Sequence, residues 1–128
     1  MLKYVKYLAV ALFATSATAH EWTPTYPVPR ASFIDGVYVV TMTLINKRED
    51  VGFYEVEVYD EDWTPVEFTV TGGDIISISH LSRKTIDIYF SERDIDNIEY
   101  VCTVSKSLRI DVESSSVRSR ICSRIKRE

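Results

Sequence analysis

The sequence is poor in the residues on which several common chemistries depend. It has two cysteines, two histidines and four glycines among 128 residues. A structural zinc site needs about four ligands, and the two cysteines have the spacing of neither a zinc site nor a redox motif. No Gly-x-Ser-x-Gly elbow occurs, and no glycine-rich loop opens a helix. These absences argue against a zinc protein, a serine hydrolase and a nucleotide-binding enzyme, and we expect a non-enzymatic role.

Long apolar runs are also scarce. Residues 7–14 form one behind two lysines, and this run is too short to be a permanent membrane anchor. It is followed by Ala17-Thr18-Ala19, which fits the small-x-small rule of signal peptidase sites. Residues 1–19 are therefore predicted to be a signal peptide rather than a buried helix. The mature chain is predicted to begin at His20 and to be exported, to the periplasm or as a secreted protein.

Export affects the interpretation of Cys102 and Cys122. In an oxidising compartment the two cysteines allow one intramolecular disulfide, which is the interpretation we favour. Two free thiols or an intermolecular bridge are the alternatives that the sequence leaves open.

Charge is distributed unevenly along the chain. The 19 acidic side chains outnumber the 15 basic ones, yet residues 117–128 carry five basic side chains against one Glu. These basic residues are Arg118, Arg120, Arg124, Lys126 and Arg127. Such a tail can bind an acidic partner, a membrane surface or nucleic acid. We favour a tail that folds back on the acidic body, with Arg118, Arg120 and Arg124 as candidate contacts for a protein partner and no nucleic-acid role.

Strand patterns occupy the chain from residue 30 onward. Residues 37–46 are rich in β-branched and aromatic side chains, and in residues 53–60 glutamates alternate with valines. Asp35-Gly36 is a hairpin turn signal, which predicts that a first strand ends at Phe33-Ile34. Further strands are predicted at residues 66–71, 75–79, 85–90, 98–105 and 108–112, with a polar loop or one helical turn at residues 91–97.

This spacing of strands and turns predicts an all-β fold of about seven to eight strands. An antiparallel sandwich fits better than a small closed barrel. Residues 30–113 would form the sandwich, after an extended proline-rich segment at residues 20–29 and before a basic tail at residues 114–128. Within the tail, Val117, Ile121 and Ile125 fall on one face at helical spacing, so a short helix is predicted there.

Residues 30–46 allow a more specific interpretation. Arg30, the apolar pair Phe33-Ile34 and Gly36 precede a strand that ends in Asn46. This pattern resembles the immunoglobulin-like N-terminal domain of periplasmic pilus-assembly chaperones of the PapD type. The resemblance continues through residues 53–65, 83–90 and 100–104. It implies an immunoglobulin-like sandwich and a protein partner that is contacted by Arg30.

The sequence also departs from the chaperone pattern. Those chaperones have two such domains, and a Lys of the second domain helps the Arg of the first to hold the terminal carboxylate of a pilus subunit. This sequence has room for one domain. The resemblance therefore implies the fold more than the activity, and we expect a protein-binding or structural role in which a partner strand pairs with an open sheet edge.

His20 is the main candidate for a metal ligand. A histidine at a mature N-terminus offers an α-amine and an imidazole that together chelate copper, and His80 is the only other histidine. A periplasmic copper-binding protein, with Glu21 as a further ligand, is therefore the alternative function. The acidic turns at residues 60–62 and 94–97 lack the spacing of an EF-hand loop, so calcium is the weaker metal hypothesis.

Overall fold

The computed structural model describes residues 20–106 and 118–127, which contain nine strands. The strands are β1 (Glu21–Thr23), β2 (Arg30–Ala31), β3 (Val37–Ile45), β4 (Phe53–Tyr59), β5 (Thr69–Val70), β6 (Ile75–Ser77), β7 (Arg83–Ser91), β8 (Tyr100–Lys106) and β9 (Arg120–Arg124). Within the described residues, no helix is long and apolar enough to span a membrane. The predicted signal peptide, the predicted strand at residues 108–112 and the serine run at residues 114–116 lie outside the described residues.

The strands form two antiparallel sheets. The five-stranded sheet has the order β1-β3-β7-β5, and β2 also pairs with β3. The four-stranded sheet has the order β6-β4-β8-β9. Two separate sheets confirm the predicted antiparallel sandwich over the closed barrel.

The longest pairing, between β3 and β7, extends over nine residues of each strand, from Val37 opposite Ser91 to Ile45 opposite Arg83. Side chains of a strand alternate between its two faces, so every second residue of these strands points into the core. The buried side chains of β3 and β7 are aliphatic, aromatic or thioether groups. Several of them are β-branched or aromatic, which are the residue types that favour strands. The core cluster includes Trp22, Val40, Met42, Leu44, Tyr54, Val56, Val58, Ile86, Ile88, Phe90, Ile98, Val101 and Ile125.

The first hairpin differs from the prediction at its apolar pair. The Asp35-Gly36 turn is confirmed, because the Val37 N–H donates to the Ile34 carbonyl at 3.2 Å and Gly36 has φ of 77°. The preceding strand ends at Ala31, however, so Phe33 and Ile34 lie in the loop and not in a strand. The Phe33 side chain is fully exposed there.

The predicted helix in the tail is wrong, because residues 120–124 form β9. This strand pairs with β8 in antiparallel register, from Arg120 opposite Val104 to Arg124 opposite Tyr100. The proline-rich segment likewise contributes β1, which pairs with the end of β3. The sheets therefore include residues on both sides of the predicted sandwich range, 30–113.

Candidate partner-binding surfaces

The strand β9 lies at one edge of the four-stranded sheet, so only one of its two sides is paired within that sheet. The Ser105 N–H donates to the Ser119 carbonyl and the Ile125 N–H donates to the Glu99 carbonyl. Because backbone groups alternate in direction along an antiparallel strand, the peptide groups of Arg120, Cys122 and Arg124 point away from β8.

The N-terminal segment covers part of this outer edge. The Arg124 N–H donates to the Thr25 carbonyl at 3.0 Å, and the Lys126 N–H donates to the Pro27 carbonyl at 2.8 Å. Both contacts lie at the C-terminal end of β9. The backbone groups of Cys122 and Arg120, two and four residues nearer the start of the strand, also point to this edge, and among residues 20–106 and 118–127 their N–H groups make no such backbone hydrogen bond.

Cys102 and Cys122 lie directly opposite each other on β8 and β9. Their sulfur atoms are 2.06 Å apart and bonded, and their Cα atoms are 4.0 Å apart. The structure thus contains the intramolecular disulfide that we favoured from the sequence. The bond ties the edge strand to the centre of its sheet.

The C-terminal arginines lie against the acidic body of the protein. The Arg120 guanidinium is 3.1 Å from a Glu57 carboxylate oxygen, and the Arg124 Nε is 2.7 Å from a Glu99 carboxylate oxygen. The Glu99 carboxylate raises the pKa of Arg124. Arg118 is exposed just before β9. The tail thus folds back on its own domain, and its charged side chains surround the edge strand.

Arg30 lies in the other sheet. It begins β2, opposite Val39 of β3. It lines a groove of about 750 Å³ on the outer surface of the five-stranded sheet, together with the exposed Phe33 and Ile34 and with Tyr89. The structure therefore separates the candidate partner contacts into an apolar groove that contains Arg30 and a basic edge that contains Arg118, Arg120 and Arg124.

His20 is buried, with 4% of its surface exposed. Its Nε2 is 2.8 Å from the Thr103 hydroxyl, its Nδ1 is 3.2 Å from the Ser119 hydroxyl, and its ring lies 4.5 Å from that of Tyr54. Burial lowers the pKa of His20 from 6.5 to about 4, against a hydrogen bond from Thr103 that raises it. Both ring nitrogens are thus engaged in contacts that join the N-terminal segment to β8 and to Ser119, the residue just before β9.

His80 lies in an exposed turn, with its Nδ1 4.0 Å from a Glu49 carboxylate oxygen. Within residues 20–106 and 118–127, no group of three or more His, Cys, Asp or Glu residues is arranged to hold a metal ion. Copper at His20 and His80 stays a prediction, and the contacts of His20 give it a structural role in this conformation.

The two acidic turns meet at one end of the sandwich. Asp60 and Asp62 line one side of an open cleft, and Asp94 and Asp96 line another. The Asp60 carboxylate accepts hydrogen bonds from the backbone N–H groups of Asp62 and Thr64, so part of its charge stabilises its own turn. Calcium there stays a prediction.

Three aromatic side chains meet on the outer face of the four-stranded sheet. Tyr59 of β4 and Tyr100 of β8 are directly opposite each other, and Trp63 of the following turn stacks on Tyr100. The sequence could show only that there were more aromatic residues than a core of this size requires. Register and the backbone of the turn decide which of them share this face.

These features define an immunoglobulin-like sandwich with an edge strand, and comparison with solved structures gives a particular protein of similar fold. The crystal structure of the E. coli chaperone DraB is similar, with a TM-score of 0.56, 16% sequence identity and coverage of 84% of this chain and 53% of DraB. The chain thus spans about half the length of the solved chaperone. No family model and no curated protein matches the sequence. The chaperone resemblance predicted from the sequence is confirmed at the level of the fold.

Proposed function

We propose that this protein is an exported, non-enzymatic protein-binding module. It binds an extended segment of a partner protein along the outer edge of β9. The fold it shares with DraB supports a chaperone-like role, because DraB is a chaperone. The Cys102–Cys122 disulfide supports export, because such bonds persist in oxidising compartments.

The observation that carries this proposal is the direction of the backbone groups of β9. The N–H and C=O groups of Arg120 and Cys122 point away from β8, at the edge of a four-stranded sheet. An extended segment can satisfy these groups by adding a strand to the sheet. The disulfide keeps Cys122 opposite Cys102, so the edge is in place before a partner arrives and less conformational entropy is lost on binding.

The partner segment would meet two different rows of side chains. On the outer face of the sheet it would lie beside Arg120 and Arg124, and on the other face beside Ile121, which packs against the core. An apolar residue suits the inner row and a polar or acidic residue suits the outer one. We therefore expect a partner segment with alternating apolar and polar residues.

A backbone-specific substitution tests edge pairing. A photo-crosslinking residue at position 118 would first identify the partner in the exporting cell. Binding of that partner would then be measured with Arg120→Pro and Arg120→Ala. Pro removes the outward N–H of residue 120 and leaves the hydrogen bonds of Ser119 and Ile121 to β8 in place. We expect at least tenfold weaker binding for Arg120→Pro and a change of less than about threefold for Arg120→Ala.

Arg30→Ala is the matched control on the other sheet. Edge pairing at β9 predicts that this variant binds the partner normally. Equal losses in Arg120→Pro and Arg120→Ala would assign the binding to the guanidinium and overturn backbone pairing. A loss confined to Arg30→Ala would move the partner to the groove of the five-stranded sheet.

A further inference from the structure

The aromatic face, which we define as Tyr59, Trp63 and Tyr100, has the geometry of a stacking platform. The rings of Trp63 and Tyr100 are parallel to within 7° and have centroids 4.0 Å apart. The Tyr59 ring lies 5.6 Å from Trp63 at an angle of 52°. Tyr100 thus supports one side of the indole. Half of the Trp63 surface is exposed to solvent, which leaves a flat apolar area available to a ligand.

The turn at residues 60–64 holds this indole in a conformation that bulky residues rarely adopt. Trp63 has φ of 62°, in the left-handed region that favours Gly and that bulky side chains rarely adopt. Its N–H donates to the Asp60 carbonyl at 3.1 Å, and the Asp60 N–H donates to the Thr64 carbonyl at 3.0 Å. A strained backbone that holds a large apolar side chain half exposed to solvent points to a ligand as its reason.

The polar groups around the aromatic face are paired charges. Arg120 is bonded to Glu57, its guanidinium carbon lies 5.9 Å from the centre of the Tyr59 ring, and Arg124 is bonded to Glu99. Each pair supplies both donors and acceptors and has no net charge. Burial, followed by a hydrogen bond with Glu57, raises the pKa of Tyr59, so the Tyr59 phenol stays neutral. A ligand at this surface would therefore meet a flat ring bordered by two ion pairs that offer both hydrogen-bond donors and acceptors.

We propose that the aromatic face binds a neutral carbohydrate, with one pyranose ring stacked on the exposed side of the Trp63 indole. Sugar hydroxyls donate and accept at once, which matches the two ion pairs, and the apolar face of a pyranose matches the indole. Anionic ligands fit less well, because both arginines are already neutralised and the same turn carries Asp60 and Asp62. This inference goes beyond the proposed protein partner and does not depend on edge pairing at β9.

Titration of the full protein with soluble oligosaccharides, followed by NMR, tests the proposal. The probes are neutral hexasaccharides of glucose, galactose, mannose and N-acetylglucosamine, with a heparin hexasaccharide as the anionic comparison. The chain has two tryptophans, and Trp22 is buried, so the two indole N–H signals separate the site from the core. We expect a saturable shift of the Trp63 signal with at least one neutral probe, and no such shift for Trp22.

The variants are Trp63→Ala, Trp63→Phe and Ile75→Ala. Trp63→Ala should weaken binding at least tenfold, and Trp63→Phe, which keeps an aromatic ring, should recover part of it. Ile75 of β6 is 51% exposed, against 50% for Trp63, so Ile75→Ala controls for loss of exposed apolar surface and should bind normally. Absence of a saturable shift with every neutral probe, tighter binding of heparin, or unchanged binding by Trp63→Ala would each overturn the proposal.

Discussion

Asn46 is a fully buried polar side chain at the end of β3, and all of its hydrogen-bonding groups have partners. Its Nδ2 donates to the carbonyls of Val51 at 2.7 Å and Ile78 at 3.1 Å. Its Oδ1 accepts from the Arg48 N–H at 3.0 Å and the Tyr54 hydroxyl at 2.7 Å. Loss of this side chain would leave several buried groups unsatisfied, at about 1 to 3 kcal/mol each. The Asn at the end of the strand, which contributed to the sequence resemblance, thus has a physical role in joining three segments.

His20 is the second buried polar residue of consequence, and it makes the stability of the fold depend on pH. Its pKa is about 4 in the folded protein against 6.5 when it is exposed, because burial disfavours the charged ring. Between these two pH values the unfolded chain binds more protons than the folded chain. Stability from this group is therefore complete above about pH 6.5 and is lost as the pH falls towards 4.

We expect His20→Gln to remove this pH dependence. By the two pKa values, the native protein should lose about 2 kcal/mol between pH 8 and pH 5 through His20 alone. Urea unfolding of both proteins at pH 8, 7, 6 and 5 would measure this loss. Subtracting the unfolding free energies of the variant from those of the native protein removes every contribution that the two proteins share. A difference that stays constant across this range would contradict a depressed pKa at His20.

At the scale of the element, β9 shows where sequence periodicity fails. Ile121 and Ile125 are four residues apart, and a spacing of four places them on one face of a helix and also on one face of a strand. Whether this segment forms a helix or a strand depends on the tertiary contacts of the residues between them. Ser123 is buried opposite Val101, and Cys122 is bonded to Cys102 on the opposite face.

The long strands were predictable for the opposite reason. Residues 37–46 are rich in β-branched and aromatic side chains and residues 53–60 alternate, and the observed strands begin at the predicted residues, Val37 and Phe53. The predicted strand at residues 66–71 is shorter in the structure, where β5 contains only Thr69 and Val70. Which strand ends up at an edge, and which side chains share the outer face, depends on pairing between distant segments. Local sequence patterns carry no information on such pairing, so the sequence could name Arg30 and the basic tail as candidates, but only the structure shows which residues lie together at each site.

The disulfide should stabilise β9 as an element. It closes a loop with a sequence separation of 20 residues, and loop-closure entropy for that length corresponds to about 3 kcal/mol. We therefore expect the double variant Cys102→Ala, Cys122→Ala to unfold at lower urea concentration, with an unfolding free energy reduced by about that amount. The native protein measured with and without reductant is the control. An unchanged midpoint in the double variant would show that the bridge does not constrain the unfolded chain.

At the scale of the whole molecule, the N-terminal segment connects the two sheets. Trp22 belongs to β1 of the five-stranded sheet, and its indole N–H donates to the Val101 carbonyl of β8 in the other sheet at 3.0 Å. A few residues later, the carbonyls of Thr25 and Pro27 accept from the end of β9. The start and the end of the described chain therefore stabilise each other across the sandwich.

This connection predicts coupled local opening of β1 and the end of β9. Trp22→Phe keeps an aromatic ring and removes the indole N–H that donates to the Val101 carbonyl, at a cost of about 0.5 to 1.5 kcal/mol. If the segment opens as a unit, the amides of Arg124 and Lys126 should exchange with solvent at least tenfold faster in this variant. Native-state hydrogen exchange measured by NMR, with the amides of β3 as the internal reference, would detect it.

Val70→Ala provides the matched control for this coupling. Val70 is a buried residue of β5, at the edge of the five-stranded sheet opposite β1, and its truncation costs a similar amount through lost core packing. In the sheet, β5 pairs with β7 and not with the N-terminal segment. This variant should therefore accelerate hydrogen exchange at Arg124, Lys126 and the β3 amides only through global unfolding. If the amide exchange rates of Arg124 and Lys126, relative to those of β3, rise equally in the two variants, the sandwich opens only as a whole. Selective acceleration in Trp22→Phe would instead show that the N-terminal segment controls how far the edge of β9 is exposed, and so how much of it a partner strand can reach.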